Sequence, residues 1–295
     1  KVNKFIFSTD GKLYTLDAED GIPVELYDGV ANSKMYSFYM KGKQYFLDGV
    51  NYLVYDGTTV KNVEDEAYIP TFSISRTPAG DGPAHEDLNM LSAGFIDSFS
   101  GDNASTVYQL SFKDLDNTPV VVKIDTASGE TTMTENNGFT VDRVNGKITF
   151  TTAPNDLAPN NVRIQAYKTR EGVIEQIKKC TIITLFGGDN DTRVFLAGNT
   201  DYPNRDYRSG LYNPSYFPEN GKADIGTSDN PIMGYNLQYD TCIIQKKHSI
   251  WNRMYSLISD LVTFPVRPIN NEVGLIARDS SQLINNNPTG LTEKG

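Results

Sequence analysis

Short runs of alternating apolar and polar residues occupy most of the chain, and this pattern predicts strands rather than helices. The first run, residues 5–17, has the pair Asp10-Gly11 between two apolar halves, and a second run, residues 45–60, has two such Asp-Gly pairs. Because Asp-Gly supplies the positive φ angles of tight hairpin turns, both runs are predicted to fold as antiparallel strands. Their spacing of about 40 residues is the period of a propeller blade.

Weaker copies of this pattern occur later in the chain. Residues 192–202 and 241–255 each place an apolar strand before a polar turn and a second strand, and residues 273–287 are interpreted as a fifth copy. Only residues 171–180 show apolar spacing typical of a helix, and that helix is expected to be short. These patterns predict a mainly β chain that contains a partial β-propeller-like domain.

The segment between the second and third hairpins differs in character. Residues 77–94 are rich in Gly, Pro and small polar residues and are interpreted as a linker. Five closely spaced strands are predicted beyond it, at residues 106–112, 119–125, 139–144, 147–152 and 161–169. Asn145-Gly146 is the strongest hairpin signal in the chain. The apolar and polar residues beside it alternate with a period of two, which predicts strands with one buried and one solvent-exposed face. We therefore predict a small β-sandwich domain inserted into the propeller.

These patterns divide the chain into three parts. Residues 1–76 are assigned to the first propeller-like blades, residues 77–170 to the linker and the inserted β-sandwich, and residues 171–295 to further blades. The chain lacks an initiator Met and stops after a strand that has no returning partner. We therefore expect a truncated propeller, from a fragment or a processed product.

Composition narrows the classes of function. The net charge of -10 disfavours binding of nucleic acid, and no apolar run is long enough for a membrane span. Cys180 and Cys242 lie far apart among apolar residues, so they are predicted to be buried thiols in a reducing compartment, with a disulfide as the alternative. His85 and His248 have no further Cys or His at ligand spacing, so we expect no metal site and no cofactor.

Several segments resemble virion proteins of tailed bacteriophages. The insert, with "FTVDRVNGKITFTTAP" followed by "NNVRIQAYKT", is similar to the small β domains of phage tail and collar proteins. Residues 193–255 resemble propeller-type tail hub or nozzle proteins, through Ala197 to Asn199, the Pro-x-Tyr-Phe-Pro loop at 214–218, and Ser249-Ile250 before the aromatic Trp251. That family has no shared catalytic residues, so the resemblance implies an assembly role in the virion tail, after synthesis in the bacterial host cytoplasm.

Enzymatic and metal chemistry have weak sequence support. Asp189 and Asp191 in a Gly-rich turn are the best Ca²⁺ candidates, but a complete calcium loop needs more ligands. A glycosidase needs two convergent carboxylates, and Asp206, Glu219 and Asp224 are more simply interpreted as loop carboxylates of an acidic protein. No nucleophile elbow, phosphate loop or zinc-protease motif is present. We therefore expect no enzyme.

The aromatic segment 201–218 is the best candidate for binding a partner. The predicted partner-binding residues are Tyr202, Tyr207, Arg208, Tyr212, Tyr216 and Phe217. The alternatives are that the rings seal this connection onto the propeller or that they stack on sugars. Trp251 is expected in the core, with Lys246, Lys247 and Arg253 on the solvated face.

Two functions follow from these observations. The first is a virion structural protein that assembles with copies of itself and with other tail proteins. The second is a glycan-binding or receptor-binding module of a phage tail, with a host surface glycan as its partner. Base-specific nucleic-acid recognition is not expected for either.

Overall fold

The computed structural model describes residues 4–17, 21–188, 192–259 and 261–293. The prediction of a mainly β protein is confirmed, with 47% of residues in strands and 6% in helices. The chain forms two compact units. The meander unit comprises Lys1–Glu66, Gly172–Phe217 and Gly221–Gly295, and the insert unit comprises Ala67–Glu171 with Pro218–Asn220.

Two antiparallel sheets begin the meander unit. The first contains β1 (Lys4–Thr9), β2 (Lys12–Asp17) and β3 (Pro23–Asp28), and the second contains β4 (Tyr36–Met40), β5 (Lys43–Leu47), β6 (Tyr52–Tyr55) and β7 (Val60–Asn62), before a 3-10 helix at Val63–Glu66. Each sheet follows chain order, so consecutive strands pair as hairpins. Leu13, Val30 and Phe46 contribute to the apolar core that the two sheets share.

The Asp-Gly pairs form two kinds of turn. Asp10 and Gly11 both have positive φ and join β1 to β2 as a two-residue turn, as predicted. The other two pairs begin four-residue loops, in which the Asp carboxylate accepts hydrogen bonds from backbone N–H groups two and three residues ahead. In these loops Asp acts through its side chain, as in an Asx turn, rather than through its own φ.

The insert unit consists of two sheets. Its strands are β8 (Thr71–Arg76), β9 (Gly94–Phe99), β10 (Val107–Gln109), β11 (Val121–Thr126), β12 (Gly129–Thr134), β13 (Phe139–Asp142), β14 (Lys147–Phe150) and β15 (Val162–Tyr167). One sheet has the order β10-β14-β13 and the other β12-β11-β15-β9-β8. All five strands predicted for this segment are present.

Both sheets of the insert share one apolar core. Tyr108 of one sheet packs edge-on against Phe99 of the other, at a centroid distance of 5.2 Å, and Ile148 and Ile164 are also fully buried. This arrangement is a β-sandwich. The predicted boundary between the first blades and the insert, at residue 76, lies too far along the chain. β8 pairs in parallel with β9, so it belongs to the insert unit, which begins at Ala67.

The second part of the meander unit begins with a single short helix, α1 (Val173–Lys178), inside the predicted 171–180 segment. A third sheet follows, with β16 (Ile182–Phe186), β17 (Arg193–Ala197), β18 (Arg205–Arg208) and β19 (Lys222–Asp224). A 3-10 helix at Glu219–Gly221 precedes β19. The segment 192–202 contains only one strand, since β18 begins later than predicted.

The fourth sheet is built from β20 (Ile232–Gln238), β21 (Thr241–Lys246), β22 (Ile250–Met254) and a later strand. A separate hairpin, β23 (Ser256–Ile258) and β24 (Leu261–Thr263), comes before that later strand, β25 (Val266–Asn270). A 3-10 helix at Arg278–Ser280 and the hairpin of β26 (Gln282–Ile284) and β27 (Asn287–Thr289) complete the meander unit. In the predicted fifth copy, only this last hairpin contains strands.

The first strands of three sheets lie together. β16 packs beside both β4 and β20, as the inner strands of neighbouring blades do in a propeller. Residues Ile182, Ile232 and Ile244 belong to a core that the third and fourth sheets share. The described residues form no closed barrel or propeller, so the propeller-like arrangement remains a prediction.

A glycine substitution tests the sandwich. Gly146 has a φ of +64°, and a Cβ there would lie 1.9 Å from the carbonyl oxygen of Phe112. We expect Gly146→Ala to lower the free energy of unfolding of the insert by about 3 kcal/mol, from backbone strain and overpacking, in urea denaturation. The control variant Gly129→Ala, at a φ of +117° but in open space, should cost about 1–2 kcal/mol from backbone strain alone. Equal losses for the two variants would contradict the packing described here.

Candidate functional site

The aromatic segment is organised by a strand that passes through it. β18 pairs with β17 on one side and with β19 on the other, so residues 205–208 are part of the third sheet. Strand alternation sends neighbouring side chains of β18 to opposite faces. Asp206 and Tyr207 nevertheless are both buried, because both faces of this strand are covered.

Two of the predicted partner-binding rings are inaccessible, which corrects that prediction. Tyr207 is fully buried, and its hydroxyl lies 3.4 Å from Gln176 Oε1. Phe217 is also fully buried and packs edge-on against Tyr52, at a centroid distance of 6.3 Å. Both rings stabilise this chain's own fold, which is the alternative that the sequence left open.

Tyr212 and Tyr216 are half-buried and belong to a compact turn. Gly210 N donates to Tyr216 O at 2.7 Å, and Tyr52 Oη donates to Pro214 O at 3.1 Å. Gly210 is required here, because a Cβ would lie 2.7 Å from the Tyr216 ring. The ring of Tyr212 keeps one face near the ammonium group of Lys41, at 5.6 Å. The turn is therefore held rigidly on the second sheet.

Tyr202 and Arg208 complete the predicted set. Tyr202 is exposed and lies under the guanidinium group of Arg205, which forms a bidentate ion pair with Asp224. Arg208 is half-buried over the ring of Phe264, at 5.1 Å. Of the six predicted residues, Tyr202 is thus the exposed one, and the structure does not gather all six on one surface.

Beneath the aromatic segment lies a buried ion pair that sequence reasoning missed. Arg253 of β22 and Asp206 of β18 are almost completely buried, and Arg253 Nη2 donates to Asp206 Oδ1 at 3.0 Å. Tyr235 Oη donates to Asp206 Oδ2 at 3.0 Å, and the ring of Phe195 lies 4.5 Å from the guanidinium carbon. Burial alone lowers the pKa of Arg253, but the charge and hydrogen bonds of Asp206 outweigh it and raise that pKa.

Lys246 is buried in the same sheet. Its ammonium group donates to the carbonyl oxygens of Ile225 and Thr227, and burial lowers its pKa. The prediction that Lys246 and Arg253 lie on a solvated face was therefore wrong. β21 is a central strand covered on both faces, and the nearly continuous apolar run Cys242–Ile244 was the available signal. Trp251, expected in the core, packs against it while half-buried.

The candidate catalytic carboxylates are held in ion pairs. Asp206 pairs with Arg253, Asp224 with Arg205, and Glu219 with Arg170. The Ca²⁺ candidates Asp189 and Asp191 lie outside the described residues. Within the described ranges, no group of three or more His, Cys, Asp or Glu side chains is arranged to hold a metal ion.

The two cysteines are free and buried, as the sequence predicted. Burial raises the pKa of the Cys242 thiol to about 12 and that of Cys180 still further above its usual value. Such thiols are poor nucleophiles at neutral pH. Among the described helices, none is long and apolar enough to span a membrane.

Comparisons with known proteins give little further information. No family model and no curated protein matches the chain. One solved structure, the extracellular domain of a protein assigned as a one-component system in B. thetaiotaomicron, aligns at 9% identity with a TM-score of 0.23. The alignment covers 94% of this chain and 38% of that chain.

Removing the arginine of the buried pair should destabilise the meander unit. We expect Arg253→Met to lower the free energy of unfolding by about 4 kcal/mol, because Asp206 is left charged and unpaired inside the protein. The double variant Asp206→Leu/Arg253→Met should recover much of this loss in urea denaturation. The surface control Arg205→Met should cost about 1 kcal/mol or less. A loss of that small size for Arg253→Met would show that the pair is not buried.

Alkaline pH should also weaken the fold. An unfolded Cys242 thiol ionises near pH 9, but the folded thiol keeps its proton up to about 12. Between these values the unfolded state binds fewer protons, so stability is complete below pH 9 and is lost as pH rises toward 12. Urea denaturation at several pH values from about 7 to 11 should show this fall, and Cys242→Ala should make it shallower. Unfolding that is independent of pH over this range would contradict the burial of the thiol.

Proposed function

We propose that this chain is a non-enzymatic structural protein of a tailed-bacteriophage virion, a tail or connector component that acts by protein–protein assembly. The order of the motifs at 197–199, 214–218 and 249–251 supports this proposal, as does a scaffold of meander sheets with an inserted β-sandwich. Its partners are copies of itself and neighbouring tail proteins. It is made in the host cytoplasm and located in the tail.

One structural observation carries the assembly role. In the hairpin of β23 and β24, which we name the apolar arm, Leu257, Ile258 and Leu261 are 56%, 65% and 65% exposed. An isolated two-stranded hairpin is at best marginally stable in water, and burying each such side chain stabilises by about 2 kcal/mol. Exposed aliphatic groups clustered in this way favour a contact with another protein.

The charge of the protein is compatible with this role. With a net charge of -10, the average surface repels DNA phosphates, as the wall of a conduit for DNA should. The same charge makes copies repel one another, so their contact must rely on apolar burial, and added salt should strengthen it.

The alternative function, glycan binding through the aromatic segment, has less support. Tyr207 and Phe217 are buried, and Tyr212 and Tyr216 are held in a compact turn. Tyr202 alone among these rings is exposed, and Arg205 covers one of its faces.

Self-association tests the proposed function. Sedimentation velocity between about 1 and 100 μM should show dimers or larger species for the native chain, since μM affinity corresponds to about 8 kcal/mol. Leu257→Glu/Leu261→Glu should shift the protein to monomer, because each new carboxylate would have to be buried. Val144→Glu, at an exposed apolar residue of the insert unit, is the matched control and should associate like the native chain.

Two results would contradict the proposal. The first is a monomer at every concentration for both the native chain and the arm variant. The second concerns the class of protein, since reading frames beside its gene that encode no portal, capsid or tail proteins would remove the virion assignment.

A further inference from the structure

A second surface of the meander unit has the properties of a ligand-binding cleft. The cleft has a volume of about 540 Å³, and the described residues that line it come from the end of β16, the residue before β17, the β20–β21 turn and the residue after β22. That volume is within the range of about 300–1,000 Å³ that is typical of small-molecule sites. Its lining includes Phe186, Thr192, Leu237, Tyr239, Asp240 and Tyr255.

Tyr239 occupies an unfavourable backbone position at the rim of this cleft. It is the first residue of the two-residue turn between β20 and β21, with a φ of +51°, and its side chain is 84% exposed. Glycine is strongly preferred where such a turn needs positive φ, and a bulky residue there is strained. Among the residues that the structure describes, the exposed ring has no stacking or hydrogen-bonding partner that offsets this strain, which points to a role outside folding.

Tyr255 provides a second and better-fixed ring. A Cβ at Gly188 would lie 2.8 Å from Tyr255 Cε1, so the ring packs directly on the glycine backbone. The ring of Phe264 holds it edge-on, at a centroid distance of 5.9 Å. Tyr255 therefore presents a preorganised aromatic surface to the cleft.

Polar groups that line the cleft are available to a ligand. The carboxylate of Asp240 forms no hydrogen bond or ion pair with the residues that the structure describes, and the same holds for both tyrosine hydroxyls. A free carboxylate forms strong hydrogen bonds with hydroxyl donors. Asp240 and the net charge of -10 disfavour an anionic ligand.

We propose that this cleft binds a neutral carbohydrate. The two tyrosine rings contact the apolar faces of sugar residues, and Asp240 with the hydroxyl of Thr192 binds sugar hydroxyl groups. This inference goes beyond the assembly role and does not depend on it, because the cleft and the apolar arm are separate sets of residues.

Titration calorimetry with three neutral probes tests the cleft: cellobiose, maltotriose and the trimer of N-acetylglucosamine. A printed array of neutral oligosaccharides extends the search. We expect a Kd of about 1 mM or tighter for at least one probe or array sugar. Tyr239→Gly should weaken that binding at least about tenfold while its melting temperature stays equal or rises, because glycine relieves the turn.

Two further variants separate this explanation from others. Tyr39→Ala removes an exposed tyrosine outside the cleft and should leave affinity unchanged. Asp240→Asn keeps a hydrogen-bonding oxygen and should weaken sugar binding only a few-fold. The absence of measurable binding to every sugar tested would overturn the proposal, and so would an unchanged affinity in Tyr239→Gly. Choline binding that exceeds all sugar binding and disappears in Asp240→Asn would also overturn it, in favour of a cation site.

Discussion

The contact between Asp206 and Arg253 joins the third sheet to the fourth. Burying two charges is costly, and the cost is offset only if the geometry satisfies both groups. Here the carboxylate also accepts a hydrogen bond from Tyr235, and the guanidinium group lies over the ring of Phe195, while its buried Nε has no hydrogen-bond partner among the described residues. β18 and β22 therefore cannot slide relative to each other without leaving a buried charge unpaired, and this constraint fixes the relation of the two sheets.

The positions of the aromatic segment, the apolar arm and the cleft depend on the contact between Asp206 and Arg253. β18 lies within the aromatic segment, and the apolar arm follows β22 along the chain. The cleft lies where the third and fourth sheets meet, with Phe186 from one and Tyr239 at the turn of the other. A protein that assembles or binds through several surfaces needs a scaffold of this kind, because rigid elements lower the entropic cost of association.

Local turn chemistry was the part of the fold most accessible from sequence. Asp10-Gly11 predicted its hairpin correctly, and Asn145-Gly146 predicted the pairing of β13 with β14, although only Gly146 has positive φ. The sequence did not show which charged side chains are buried. Lys246 was assigned to solvent by residue type, but its strand lies inside a sheet that is covered on both faces, and coverage depends on distant segments.

The exposure of the aromatic side chains was also not predictable from the sequence. An aromatic-rich segment predicted exposed rings at Tyr207 and Phe217, but packing against Gln176 and Tyr52 buries them. The strained position of Tyr239 is not evident from the sequence pattern, because that pattern does not give a φ angle. The available signal was a tyrosine at the turn position between two alternating runs, where glycine is usual.

Residue-resolved amide hydrogen exchange tests the central claim most directly. If the buried pair joins the two sheets, the amides of β18 and β22 should be among the slowest to exchange in the meander unit and should lose protection together in Arg253→Met. Amides of β22 that exchange as rapidly as those of the apolar arm, or protection that survives in the variant, would contradict this account.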